Sequence, residues 1–166
     1  MEQIIYNLIK EKPQLVNSVF IIDSYDQLDK NLFSDREKDF IQHKISEKAE
    51  LISLDYFYHW NFIVFIGEKE DINSRERMRR IGSKLSDLAK EHELDFLNVI
   101  DSVDNKDSMM ALLEGIVLSH YKFDKYKTIE KKAKKELKRL NVFSKGLTDR
   151  ELDDFESLMN SVIHTR

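Results

Sequence analysis

The stretch Ala111-Leu-Leu-Glu-Gly-Ile-Val-Leu-Ser-His-Tyr-Lys-Phe-Asp-Lys-Tyr-Lys-Thr128 joins an apolar run to an aromatic and basic one. Extended back to Asp107 it carries Met109, Met110, Leu112, Leu113, Ile116, Val117 and Leu118, apolar nearly all round. That pattern predicts a buried central helix over residues 107–121. Gly115 stands in its middle, where glycine costs about 1 kcal/mol relative to alanine. The cost is offset if a neighbouring backbone must come close, since glycine has no Cβ. Tyr121, Phe123 and Tyr126 follow. They read either as anchors that pin the segment to this domain or to a partner domain, with hydroxyls reaching polar atoms, or as plain core and turn aromatics.

Around this helix the apolar period switches between two and 3.6 residues. Residues 3–9 and 16–22 read as strands on either side of Pro13. Ser34-x-x-Glu37 is a capping box that opens a helix over residues 35–49. Residues 51–58 and 62–66 read as strands separated by His59-Trp60-Asn61, in a tight hairpin or sharp bend. Asn73-x-x-Glu76 repeats the capping signature, and Met78, Ile81, Leu85, Leu88 and Ala89 share one face of a helix reaching Glu91. A strand over 94–100 and an edge strand within 137–143 complete the pattern. Strands interleaved with helices of these lengths predict an α/β fold, a mixed β-sheet flanked by helices.

A third capping box, Thr148-x-x-Glu151, opens a last helix with Leu152, Phe155, Leu158, Met159, Val162 and Ile163 on one side. Burying each of these is worth roughly 1.5–3 kcal/mol, so the helix must dock. It either folds back on this domain or, with no stop signal before Arg166, leads into a chain that continues.

Composition narrows the function classes. Of 166 residues 35% are charged and 41% hydrophobic, with a formal net charge of −4, which predicts a folded cytoplasmic protein with no general affinity for nucleic acid or acidic membranes. Zero cysteines exclude a disulfide framework, a cysteine nucleophile and a thiolate zinc site. The longest apolar runs, 19–22 and 62–66, fall far short of the ~20 residues that span a bilayer.

Few residues assemble into recognisable chemistry. His43, His59, His92, His120 and His164 lie at no metal-ligand spacing. Gly67, Gly82, Gly115 and Gly146 are isolated and make no phosphate loop, and no Gly-x-Ser-x-Gly elbow is present. Asp23 and Asp101, with Ser24, Ser102 and Asp104 beside them, follow strands. They fit a ligand site at strand carboxyl ends or ordinary turn residues. Arg75, Arg77, Arg79 and Arg80, and the lysine-rich residues 122–139, could contact a phosphate backbone, although the negative net charge favours a solvated connector.

Glu114-Gly115 followed by Tyr121-Lys-Phe-Asp-Lys-Tyr-Lys127 resembles the end of the N-terminal domain of the leucyl aminopeptidase family, the cytosolic dinuclear-metal exopeptidases. Phe62-Ile-Val-Phe-Ile-Gly67, the helix after it, and the last helix resemble the family's corresponding elements, and His164-Thr-Arg166 falls where the family enters its catalytic domain. The resemblance implies a macro-domain-like α/β fold for residues 1–128, a basic connector over 129–147 and a linker helix over 148–166. It implies that two divalent metal ions and all catalytic groups lie in a C-terminal domain outside this chain. No catalytic, cofactor-binding or metal-binding position is therefore carried over, and Gly115, Tyr121, Phe123 and Tyr126 are expected to act in anchoring or interdomain packing. The implied partners are the chain's own catalytic domain and, for the full-length protein, a hexamer. The competing expectations are a stand-alone binding or regulatory module, such as one binding nucleic acid through residues 122–139, and a ligand-binding macro-like domain using Asp23 or Asp101.

Overall fold

The computed structural model describes residues 4–28, 31–67, 73–121 and 136–165. In chain order the elements are β1 (Ile5–Leu8), β2 (Ser18–Ile22), a 3-10 turn (Tyr25–Gln27), α1 (Asp35–Ser46), β3 (Leu51–Asp55), β4 (Trp60–Phe65), α2 (Ser74–Glu91), β5 (Phe96–Asp101), α3 (Lys106–His120), β6 (Arg139–Phe143) and α4 (Asp149–His164). The strands form one sheet in the order β1-β6-β5-β2-β4-β3. All neighbours are parallel except β3, which runs antiparallel to β4. This is the mixed sheet between helices that the alternating periods predict. β2, at its centre, is buried throughout, as parallel strands covered on both faces must be.

Two cores divide the apolar residues. α2, α3 and α4 cover one face through Met78, Leu85, Leu112, Ile116, Phe155 and Met159, against Val19, Phe62, Leu97 and Leu140. α1 lies on the other, where Ile41 and Phe33 meet Phe20, Ile22, Ile52 and Ile63.

Two of the three capping signatures form. Ser34 Oγ accepts from the Glu37 N–H at 3.4 Å while Glu37 Oε2 accepts from the Ser34 N–H at 2.6 Å. Thr148 and Glu151 do the same at 3.3 and 2.9 Å. Asn73 does not: its side chain makes no capping hydrogen bond, and its φ of −96° and ψ of 0° lie outside the extended region that aims a cap.

Element ends differ from expectation for a common reason. α1 stops at Ser46 because Lys48 turns left-handed at φ +61° and the Ala49 N–H returns to the Lys44 carbonyl at 3.0 Å. Glu93 at φ +54° does likewise for α2, with Leu94 N–H on Ala89 O at 2.8 Å, so Leu94 seals a helix rather than starting a strand. Trp60 and Asn61 belong to β4 rather than to the connection before it. That turn is formed by Tyr56–His59, with Phe57 at φ +67° and its N–H held by Asp55 Oδ1 at 2.7 Å.

β6 is not an edge strand. It is inserted between β1 and β5, pairing with both, so Leu140 and Val142 are fully buried. The last helix folds back on the domain: Leu152, Phe155 and Met159 are buried, and Phe155 meets Tyr6 of β1 edge-on at 5.8 Å. Leu158 remains 57% exposed.

Candidate functional site

The most closely built feature is the crossing of α2 and α3. A Cβ added to Gly115 would lie 2.1 Å from the carbonyl oxygen of Arg79, and one added to Gly82 would lie 2.2 Å from that of Leu112. Neither distance is sterically possible, so each helix needs its glycine where the other passes. Gly115 thus permits the close approach expected of it; Gly82, its counterpart, was not singled out by the sequence. Polar side chains lock the same crossing: Arg79 Nε donates to Glu114 Oε2 at 2.8 Å, Arg75 binds Asp107 at 2.7 Å, and Ser83 and Ser119 hydroxyls meet at 3.0 Å. Glu114 raises the already high pKa of Arg79. The adjacent pair Glu114-Gly115 therefore receives Arg79 twice, by charge and by the space its backbone needs.

α4 closes a groove of about 500 Å³ against these helices, with Met110, Ala111, Phe155 and Met159 among its apolar walls. Its cations are matched: beside the two arginine pairs, Lys106 binds Glu151 at 2.6 Å. The Lys106 ammonium and the Thr148 cap hold the Glu151 carboxyl down to about 2. Such a groove offers apolar contact and matched charge, without a nucleophile beside a base.

The strand carboxyl ends resolve toward the turn reading at Asp101. Its Oδ1 accepts the N–H groups of Val103 and Asp104 at 3.1 and 2.9 Å, and its Oδ2 accepts from Ser144 Oγ at 3.2 Å. The buried carboxylate is thus engaged in shaping the loop, with Gly146 packed against Asp104. Near Asp23 the contact is again local: its N–H donates to Gln27 Oε1 at 2.9 Å.

A polar row crosses the sheet at one register, Asn7, Asn141, Asn98, Ser18 and Asn61. Asn7 donates to Asn141 at 3.0 Å, Asn141 to Asn98 at 2.8 Å, and Asn98 to the Val16 carbonyl at 2.8 Å. Asn61 Oδ1 accepts from the Ser18 N–H at 3.2 Å. The sequence reading did not find this row. Its signal was available: asparagine is depleted from strands, yet Asn98 and Asn141 sit inside strongly apolar runs.

The histidines are dispersed in structural roles. His92 stacks on Trp60 at 3.8 Å and His59 on Tyr56 at 4.8 Å, while His43 lies 3.4 Å from Glu47 on α1. His164 is exposed on α4. Burial lowers the His120 pKa against the opposing charge of Glu136. Among the described residues no three His, Asp or Glu side chains gather to hold a metal ion. No described helix is long and apolar enough to cross a membrane.

Tyr121 caps the carboxyl end of α3, its N–H on the Val117 carbonyl at 3.1 Å, and is partly buried. Phe123, Tyr126 and the lysines from Lys122 to Lys135 lie outside the described residues. In the arginine cluster, Arg75 and Arg79 bind α3 carboxylates and Arg77 Nη2 donates to the Ile66 carbonyl. These guanidiniums are engaged within the protein.

No protein-family model and no curated protein sequence matches the chain. Among solved structures it is similar to a lysine-to-glutamate mutant of tomato leucine aminopeptidase, at a TM-score of 0.70 and 13% identity. The match covers 98% of this chain and 36% of that one, so this chain spans about a third of the tomato enzyme's length. At this identity the similarity establishes the fold.

Proposed function

We propose that this chain is the non-catalytic N-terminal domain of a cytosolic leucyl-aminopeptidase-like metallopeptidase. It positions subunits and packs against a catalytic domain that carries two divalent metal ions and releases N-terminal amino acids by metal-assisted hydrolysis. The observation that carries this reading is the match to tomato leucine aminopeptidase, in which nearly all of this chain finds its counterpart in one part of a longer enzyme. The Glu114-Gly115 pair supports it, because the residues that carry the sequence resemblance also build the α2–α3 crossing. In this reading Tyr121, Phe123 and Tyr126 serve as anchors, on this domain or on its catalytic partner, and full-length subunits assemble as hexamers.

The test has two arms. The purified chain, incubated with leucine p-nitroanilide and Mn²⁺ or Zn²⁺, should release no nitroaniline. The transcript read past the codon for Arg166 should encode a metallopeptidase domain. Hydrolysis by the chain alone, or a transcript without that domain, overturns the reading.

A further inference from the structure

The two edges of the sheet are protected unequally. β3 presents exposed Ser53 and Asp55, and a charge on an edge blunts strand addition. β1 reads Ile5-Tyr6-Asn7-Leu8, with no charge, no proline and no break in register, and Ile5 is 55% exposed. Among the described residues no strand pairs with its outer side.

The register fixes which backbone groups look outward. Ile5 and Ile9 donate to the Lys138 and Val142 carbonyls, each at 2.9 Å. Backbone groups alternate sides along a strand, so those of Tyr6 and Leu8 turn away from β6. These four donors and acceptors suit one antiparallel neighbour in particular. In a pair centred on Asn7, Tyr6 exchanges both hydrogen bonds with Leu8 of a second copy, Leu8 does so with Tyr6, and Asn7 faces its own counterpart.

The side chains agree. The amide row Asn98, Asn141, Asn7 stops at Asn7, which is exposed and has an N–H committed to Asn141. Across a dyad at this point amide meets amide, and the row runs on into the second sheet. Ile5 covers Ile9 of the second copy on the same face, while Tyr6 is already packed on Phe155 on the other.

We propose that β1 pairs with β1 of a second copy of this chain, antiparallel about a two-fold axis at Asn7, so that two sheets become one. The interface is isologous and closes on itself. It rests on the sheet edge alone and is independent of the function proposed above.

The chain has no cysteine, so an introduced thiol reports the register without interference. Asn7→Cys should give a disulfide-linked dimer under mild oxidation, because facing residues of a non-hydrogen-bonded antiparallel pair bring their Cα atoms to about 4.5 Å. Ile5→Cys alone should not, its counterpart lying about 14 Å away, whereas Ile5→Cys with Ile9→Cys should restore the link. Sedimentation of the unaltered chain should show a dimer, and Asn7→Lys, placing like charges face to face, should weaken it at least about tenfold. Circular dichroism of Asn7→Lys should match the parent. A chain that stays monomeric up to about 100 μM, a dimer indifferent to Asn7→Lys, or equal cross-linking of Asn7→Cys and Ile5→Cys would overturn the proposal. Assembly that occurs only with an extended peptide of another protein would overturn it too, leaving β1 as a site for a foreign strand.

Discussion

Gly82 and Gly115 face each other where α2 crosses α3, close enough that a Cβ on Gly82 would come within 3.0 Å of the Gly115 Cα. Helices usually pack 8–10 Å apart, a spacing set by the side chains at the contact. Here the contact is backbone on backbone, which is why the flanking polar pairs Arg79–Glu114 and Ser83–Ser119 reach one another directly.

Alanine at Gly115 therefore has no room, since the atom it meets is the Arg79 carbonyl rather than a side chain that could turn aside. Forcing the helices apart outweighs the roughly 1 kcal/mol that alanine gains in helix propensity. Gly115→Ala should lose about 2–3 kcal/mol net, read as a lower urea midpoint at unchanged slope. Gly82→Ala should act similarly. The double variant should lose less than the two singles together, because one separation relieves both contacts.

The asparagine row should be worth most at its buried end. Asn98→Ala takes the acceptor from Asn141 and the donor from the Val16 carbonyl in a site only 5% exposed. A loss of about 1–3 kcal/mol is expected in chemical denaturation. Asn7→Ala, at the exposed end, should change the stability of a single chain by less than about 0.5 kcal/mol.

Glu151 ties α4 to α3 through Lys106, and its carboxyl titrates near 2 instead of the ordinary 4.5. A carboxyl whose folded value is depressed stabilises the fold fully above its ordinary value and loses that contribution as pH falls through the folded one. Thermal melts should therefore fall between pH 4.5 and 2 more steeply for the parent than for Glu151→Gln. Glutamine keeps the capping box, so the difference isolates the charge; parallel melting profiles would refute it.

Elements whose identity rests on local chemistry could be read from the chain. The Ser34 and Thr148 caps, the apolar face of α2 and the all-apolar α3 declared themselves through residues a few positions apart. The place of β6 could not be read, because edge and interior strands differ in their distant neighbours, and this one pairs with a strand more than a hundred residues earlier. Gly115 was legible as a glycine set against its helical surroundings. Gly82 was not, and the asparagine row showed only as asparagines out of place in strands, since the meaning of both appears only when separate elements are brought into register. Asp101 carried a sequence signal common to ligands and turns, and its three hydrogen bonds favour the turn.

The insertion of β6 between β1 and β5 also orders events during synthesis. β1, made before the other strands of this sheet, has its inner neighbour 134 positions downstream, as the Asn7–Asn141 pair records. Until that neighbour emerges, residues 5–8 have no ladder to join, whereas β5, β2, β4 and β3 with α2 and α3 can assemble from what has already been made. The earliest-made strand of the sheet is thus the last to find its seat.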